Sequence, residues 1–219
     1  MTTYGDRAKC YKCYRPQSSC MCSFVHTIDT DTKFIVLMHP KEFKKTKNGT
    51  GHFTRLSLSN SHLFVGVDFS NHETINEIID THDSFILYPS KDAINMSKTT
   101  PYTPKSSKKM AIFLIDSTWA CANKMLHESK NLQKLQHISF SSTKLSEFKI
   151  KEQPKEYCLS TMESTLSVLE LLDKWKIESI EKEDLDKFLN PFHEMVKYQL
   201  KCIADSPHDA VRFRCRKSK

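Results

Sequence analysis

Ala111-Ile112-Phe113-Leu114-Ile115-Asp116-Ser117-Thr118-Trp119-Ala120-Cys121-Ala122-Asn123-Lys124-Met125 decides the fold class. The apolar run 111–115 suits a strand covered on both faces, and Ala120, Cys121, Ala122, Lys124 and Met125 open a helical pattern. The residues between them bring an acid to the lip of a sheet. In open α/β sheets ligands bind at the carboxyl ends of the strands, so a carboxylate, a hydroxyl and an indole gathered there form a candidate site. A plainer reading makes Asp116 the N-cap of the next helix and Trp119 a core residue.

The same pattern recurs outward from this stretch. Apolar runs at 34–38, 63–67, 85–88 and, more weakly, 137–140 alternate with helical patterns around 53–59, 73–81 and 120–129. Short buried strands alternating with helices predict an α/β fold with a largely parallel sheet. Residues 89–109, rich in Ser, Thr, Lys and Pro, read as a long surface loop. Ser160 and Glu163 form a Ser-x-x-Glu capping box that starts a strong helix with Met162, Leu166, Leu169 and Leu172 on one face. A capped start also turns free backbone N–H groups and a positive dipole end toward a bound carboxylate. A second helical region, 185–203, is split by Pro191, which starts a new helix at its first turn.

With 219 residues the chain can bury one compact domain plus an appended module. Its 4 glycines, 38% hydrophobic residues and lack of a long apolar run predict a soluble protein with no membrane span. The polar stretch 1–10 has no apolar core, so no signal peptide is read and the cytoplasm is the expected compartment. Lys and Arg outnumber Asp and Glu by 33 to 26, a net +7 that favours a polyanionic partner. Lys41, Lys44, Lys45 and Lys47 cluster, as do Lys98, Lys105, Lys108 and Lys109, and Arg212, Arg214, Arg216, Lys217 and Lys219 end the sequence. Such stretches suit either a phosphate backbone or plain solvation. No Gly-x-x-x-x-Gly-Lys, Gly-x-Gly-x-x-Gly or His-Glu-x-x-His motif occurs, which argues against nucleotide hydrolysis, a standard dinucleotide site and a zinc-protease centre.

Four of the eight cysteines form two chelating pairs, Cys10-Tyr11-Lys12-Cys13 and Cys20-Met21-Cys22. In a chain expected in a reducing compartment, thiols so closely spaced point to tetrahedral zinc, and four thiolates leave no open position, so the metal is structural. Metal binding would fold a segment with little core of its own. Tyr11, Lys12, Tyr14 and Arg15 would then be displayed around the ion, a mixture suited to unpaired bases and phosphates. Cys121, Cys158, Cys202 and Cys215 read as ordinary thiols.

Several of these segments together resemble the DTW-domain family. Cys-x-x-Cys, Arg15-Pro16 and Cys-x-Cys look like its zinc element, and His39-Pro40-x-Glu42 followed by Thr54-Arg55-Leu56 is similar to its basic segment. Leu87-Tyr88-Pro89-Ser90 resembles a central loop, Asp116-x-Thr118-Trp119 the naming motif and Ser160-Thr161-x-Glu163 the last motif. Ser164 stands where the family usually has Ala, and 48–53 is longer than the usual spacing before the Arg.

The resemblance implies a SPOUT-like α/β fold, of a kind whose C-terminal half can be knotted, with a four-cysteine zinc module at 1–28 and a catalytic domain at 29–219. It implies transfer of the 3-amino-3-carboxypropyl group of S-adenosylmethionine to N3 of a tRNA uridine, releasing methylthioadenosine. Asp116 would be the catalytic base, with Leu87, Pro89, Thr118, Trp119, Ser160, Thr161, Glu163 and Arg55 about the cofactor. Lys41, Lys44, Lys45, Arg15 and Lys124 would meet tRNA, and Cys10, Cys13, Cys20 and Cys22 would hold zinc. Two choices stay open: Arg55 pairs with cofactor or with tRNA phosphate, and Trp119 stacks on a ligand or packs the loop. Rival readings are a SPOUT-like RNA methyltransferase and a non-catalytic zinc-containing RNA-binding protein. The target uridine and the number of subunits are not set by the sequence.

Overall fold

The structure, a computed structural model, describes residues 8–44, 48–98, 108–142, 145–150 and 158–205. Among them a sheet runs through β1 (Lys33–Met38), β2 (Ser61–Val65), β3 (Asp83–Leu87), β4 (Ile94–Asn95), β5 (Met110–Asp116) and β6 (Gln136–Ser139). The spatial order is β2-β1-β5-β3-β6-β4, and every pairing is parallel. The expected α/β class with a parallel sheet is borne out.

Two-residue periodicity explains why the central runs are apolar throughout. Phe34, Val36, Ile112 and Leu114 point to one face, where they meet Phe53 of α2 (Gly51–Leu56), Met162, Val168 and Leu169 of α5 (Thr161–Lys174), Phe188 of α6 (Lys182–Phe188) and Phe192 of α7 (Asn190–Ala204). Ile35, Leu37, Ala111 and Phe113 point to the other, against Ile75 and Ile78 of α3 (Glu73–Thr81) and Met125 of α4 (Trp119–Glu128). Each central strand is buried twice, so alternation is lost from its sequence.

Several expectations shift by a few residues for local reasons. The pattern at 53–59 becomes α2 at Gly51–Leu56, because Ser57 and Ser59 exchange backbone hydrogen bonds with Ile28 and draw Leu58 into a parallel bridge. The run 63–67 is strand only to Val65; Gly66 N–H turns to the Met38 carbonyl, and Gly66 packs on the Phe69 ring. The expected loop 89–109 contains the short β4, which pairs with β6; residues 99–107 lie outside the described residues. Ser160 and Glu163 make the expected capping box, and Pro191 sits in the first turn of α7. The α5 face is rotated from the expected stripe: Thr165 and Val168 are buried, and Leu166 is only partly so. The path from β6 to α5 includes 143–144 and 151–157, outside the described residues, and the knot falls with it.

The cysteine-rich segment does not stand apart. Cys13, Met21 and Ile28 join the core beneath α5 and α7, and His26 Nε2 lies 2.6 Å from Asp184 Oδ1. No helix among the described residues is long and apolar enough to cross a membrane.

Candidate active site

A cleft of about 630 Å³ opens at the carboxyl ends of β3, β5 and β6. Its walls include Leu87, Tyr88 and Pro89 at the end of β3, the stretch from Leu114 through Trp119, Ser139, Ser141 and Ser142 at the end of β6, and Ser160, Thr161 and Ser164 at the start of α5. Glu42 of α1 (Pro40–Lys44) and Asn48, Gly49 and Thr50 ahead of α2 close another side. The three motif segments quoted from the sequence, at Leu87 to Pro89, Asp116 to Trp119 and Ser160 to Thr161, thus line one cleft. The end of β6, Phe148, Cys158 and the 48–50 wall were missed. The β6 residues carried a usable signal, since β6 is one more parallel strand whose carboxyl end faces the same side.

Asp116 ends β5 and is 7% exposed. Its Oδ1 accepts a hydrogen bond from Thr161 Oγ1 at 2.6 Å, and its carbonyl accepts from His39 N–H at 3.1 Å. The start of α2 presses on the carboxylate, so that a Cβ at Gly51 would lie 2.5 Å from Asp116 Oδ2. Asp116 is not a cap: the N-cap of α4 is Thr118, whose hydroxyl makes no capping bond. Trp119 is not core either. It is 45% exposed, with the Tyr88 ring 5.9 Å away edge-on, and Tyr88 in turn donates to Asn123 Oδ1 at 2.5 Å.

The remaining expected residues divide by position. Glu163 is buried in protein contacts outside the cleft lining: its Oε2 accepts from Ser160 N–H at 2.7 Å, its Oε1 from Glu147 N–H at 2.7 Å, and Ser146 Oγ donates to both oxygens. Arg55 is exposed on α2 and does not line the cleft. Lys41 and Lys44 are exposed on α1, whose Glu42 lines the cleft, and Lys124 is exposed on α4. Lys45 and the basic tail from Arg212 onward lie outside the described residues.

Arg15 is a correction. Expected on display, it is 2% exposed, with its guanidinium 4.6 Å over the Phe53 ring and its Nη2 donating to the Gly49 carbonyl at 3.2 Å. The turn after Cys13 points it inward, where its long stem packs with the core. Burial lowers its pKa to about 10, opposed by the nearby thiols of Cys13, Cys20 and Cys22, so it stays cationic near neutral pH.

The sulfurs of Cys10, Cys13, Cys20 and Cys22 lie within 4.8 Å of one another, with Cys10 to Cys22 at 3.7 Å and Cys13 to Cys20 at 3.8 Å. Tetrahedral zinc with bonds of about 2.3 Å needs sulfurs about 3.8 Å apart, so this donor set fits the ion. Backbone N–H groups, that of Cys13 foremost, hold the Cys10 thiol down to about 6, while burial pushes those of Cys13 and Cys22 up.

The family model described as the DTW domain matches residues 7–200. The chain belongs to the DTW-domain family. The domain spans both the four-cysteine cluster and the cleft. The chain is 30% identical over 205 residues to a Drosophila melanogaster protein named tRNA-uridine aminocarboxypropyltransferase 2, covering 89% of this chain and 76% of that one. It is 26% identical over 176 residues to proteins of the same name from Macaca fascicularis and Mus musculus, covering 77% of this chain and 57% of each. No solved structure matches the chain at a significant level.

Proposed function

We propose that the protein is a tRNA-modifying transferase that moves the 3-amino-3-carboxypropyl group of S-adenosylmethionine to N3 of a tRNA uridine and releases methylthioadenosine. Asp116 carries the reading: it presents a buried carboxylate at a strand end into a cleft of about 630 Å³, a volume in the range of small-molecule sites. The relatives' shared name supports the same transfer. Leu87, Pro89, Leu114 and Ile138 offer apolar walls for an adenine, and the hydroxyls around them suit a ribose and an amino acid.

Bound in the cleft, the donor would supply a sulfonium that activates its γ-carbon and departs as a neutral thioether. Asp116 accepts the N3 proton of the uracil as N3 bonds to that carbon and the carbon–sulfur electron pair passes to sulfur. Thr161 fixes the orientation of the carboxylate through its 2.6 Å hydrogen bond. That bond commits the Thr161 proton to Asp116, leaving Thr118, Ser160 and the other cleft hydroxyls to donate to the cofactor. The selection of γ-carbon over methyl is a matter of positioning, to which Trp119 contributes at the cleft wall. Cys10, Cys13, Cys20 and Cys22 hold a structural zinc. Lys41, Lys44, Lys45 and Lys124 contact tRNA phosphates, and the position of Arg55 outside the cleft favours tRNA over cofactor for it. A tRNA substrate suits the cytoplasmic placement expected from the sequence.

The test supplies S-adenosylmethionine labelled separately in the methyl and the aminopropyl carbons to the protein with bulk tRNA. Aminopropyl label should enter RNA with release of methylthioadenosine, and Asp116→Asn should lower that rate at least about 100-fold while tRNA binding persists. Methyl label alone in the RNA would defeat the proposal in favour of methyl transfer. Binding of tRNA without any product would leave an RNA-binding protein.

A further inference from the structure

The two residues after Cys13 reach α1, α2 and the cleft wall at Gly49. The turn closes as Cys10 N–H donates to the Arg15 carbonyl and Tyr14 N–H to the Cys10 carbonyl, each at 2.8 Å. It holds Tyr14 at φ 59°, a left-handed conformation that residues with a Cβ rarely adopt. From there the Tyr14 ring reaches Phe43 of α1 at 5.4 Å and His52 of α2 at 5.0 Å, and those two rings meet at 5.5 Å. Arg15 adds its contacts to the Phe53 ring and the Gly49 carbonyl, with Nη2 also 2.9 Å from Met195 Sδ. Asn48, Gly49 and Thr50, directly ahead of α2, line the cleft and run into Gly51, the residue that presses on Asp116.

Charge adds a second link. Arg15 Nη1 is buried without a hydrogen-bond partner, a costly placement for a cation unless an anion stands nearby. A divalent ion on four thiolates carries net negative charge, and the cysteines beside Arg15 are that donor set. Loss of the ion would remove both the restraint on the turn and the counter-charge.

We propose that Tyr14 and Arg15 are positioning residues that couple metal occupancy of Cys10, Cys13, Cys20 and Cys22 to the affinity of the cleft for S-adenosylmethionine. The inference rests on the reading of the cleft as the S-adenosylmethionine site. Coupling between two binding sites is reciprocal, so S-adenosylmethionine must raise the affinity for zinc by the factor by which zinc raises the affinity for S-adenosylmethionine. A purely structural Arg15 would change stability and leave that factor alone.

The experiment takes the full chain loaded with zinc. Zinc affinity is read by equilibrium competition with a chromophoric chelator, with and without saturating S-adenosylmethionine, whose own binding is followed by calorimetry. In the wild type the zinc affinity should rise roughly tenfold with S-adenosylmethionine, and in Arg15→Met the factor should fall to about one. If Arg15→Met does not fold, Arg15→Lys, which keeps the charge and loses the planar fork, takes its place with an expected factor below about threefold. S-Adenosylmethionine that binds without changing zinc affinity overturns the coupling and leaves the cleft reading intact. An undiminished factor in the Arg15 variant overturns the assignment to Arg15. If zinc-loaded wild type fails to bind S-adenosylmethionine at all, the cleft reading falls, and the coupling with it.

Discussion

Gly51→Ala should silence the cleft while leaving the protein folded. The added methyl would lie 2.5 Å from Asp116 Oδ2, 2.8 Å from its Cγ and 2.7 Å from Met38 Cε. Met38 ends in a flexible thioether that can swing aside. The carboxylate is tethered to Thr161 Oγ1 at 2.6 Å, and reaching ordinary contact with the methyl requires it to retreat by about 0.9 Å. Overpacking costs about 1–3 kcal/mol, and the gain in helix propensity from Gly to Ala returns up to about 1 kcal/mol, so the net destabilisation is about 0–3 kcal/mol. A displacement near 1 Å at a reacting group costs on the order of 100-fold in rate. Single-turnover release of methylthioadenosine in the presence of tRNA, measured beside thermal unfolding, separates the two effects. Gly66→Ala is the control: its Cβ would meet the Phe69 ring at 2.9 Å, outside the cleft lining, so it should cost similar stability and keep the rate within about twofold. Gly51→Ala turning over within about threefold of wild type, or equal loss in Gly66→Ala, would refute the claim that the α2 start sets the Asp116 carboxylate.

Glu163→Ala should lower stability by about 2–4 kcal/mol, because it strands the buried N–H of Ser160 and removes the tie to Ser146 and Glu147. Unchanged thermal unfolding with weakened S-adenosylmethionine binding would instead make Glu163 a cofactor contact. Trp119→Ala should shift stability by no more than about 1 kcal/mol, given its exposure, yet weaken ligand binding about tenfold; calorimetry and melting read the two separately, and a large loss of stability would return Trp119 to loop packing. Burial and the neighbouring Arg15 and Arg55 lower the His52 pKa from 6.5 to about 4. Between those values the unfolded chain binds the extra proton, so wild-type stability should fall as pH drops from 6.5 to 4, with a slope from this group of up to about 1.4 kcal/mol per pH unit. Chemical denaturation of His52→Phe across that range should show the slope reduced; an unchanged slope would mean that His52 is protonated in the fold.

What could be read along the chain was local. The capping box at Ser160 and Glu163 is a contact between residues three apart, and the cysteine pairs chelate over one or two intervening residues, so each is specified by spacing alone. The strand before Asp116 was legible because burial on both faces demands an unbroken apolar run. Arg15 was misread for the same reason that these were not: charge and neighbours in sequence favoured the surface, while its place is set by Gly49, Phe53 and Met195, far away along the chain. The cleft wall at Asn48, Gly49 and Thr50 carried no signal, since no periodicity or motif marks a segment whose function is to lie beside another.

By itself the sequence determined the class of fold, the family, the four-cysteine donor set and the acid at the end of the central strand. Periodicity, caps and chelate spacing are short-range physics, and they survive in one dimension. Only the tertiary structure decided that Thr161 holds Asp116, that Gly51 must lack a side chain for α2 to approach it, that Glu163 is spent within the protein and that the cysteine turn reaches the cleft wall through Tyr14 and Arg15. Those relations depend on which elements are brought face to face, and strand order and packing set that across separations the local pattern does not record.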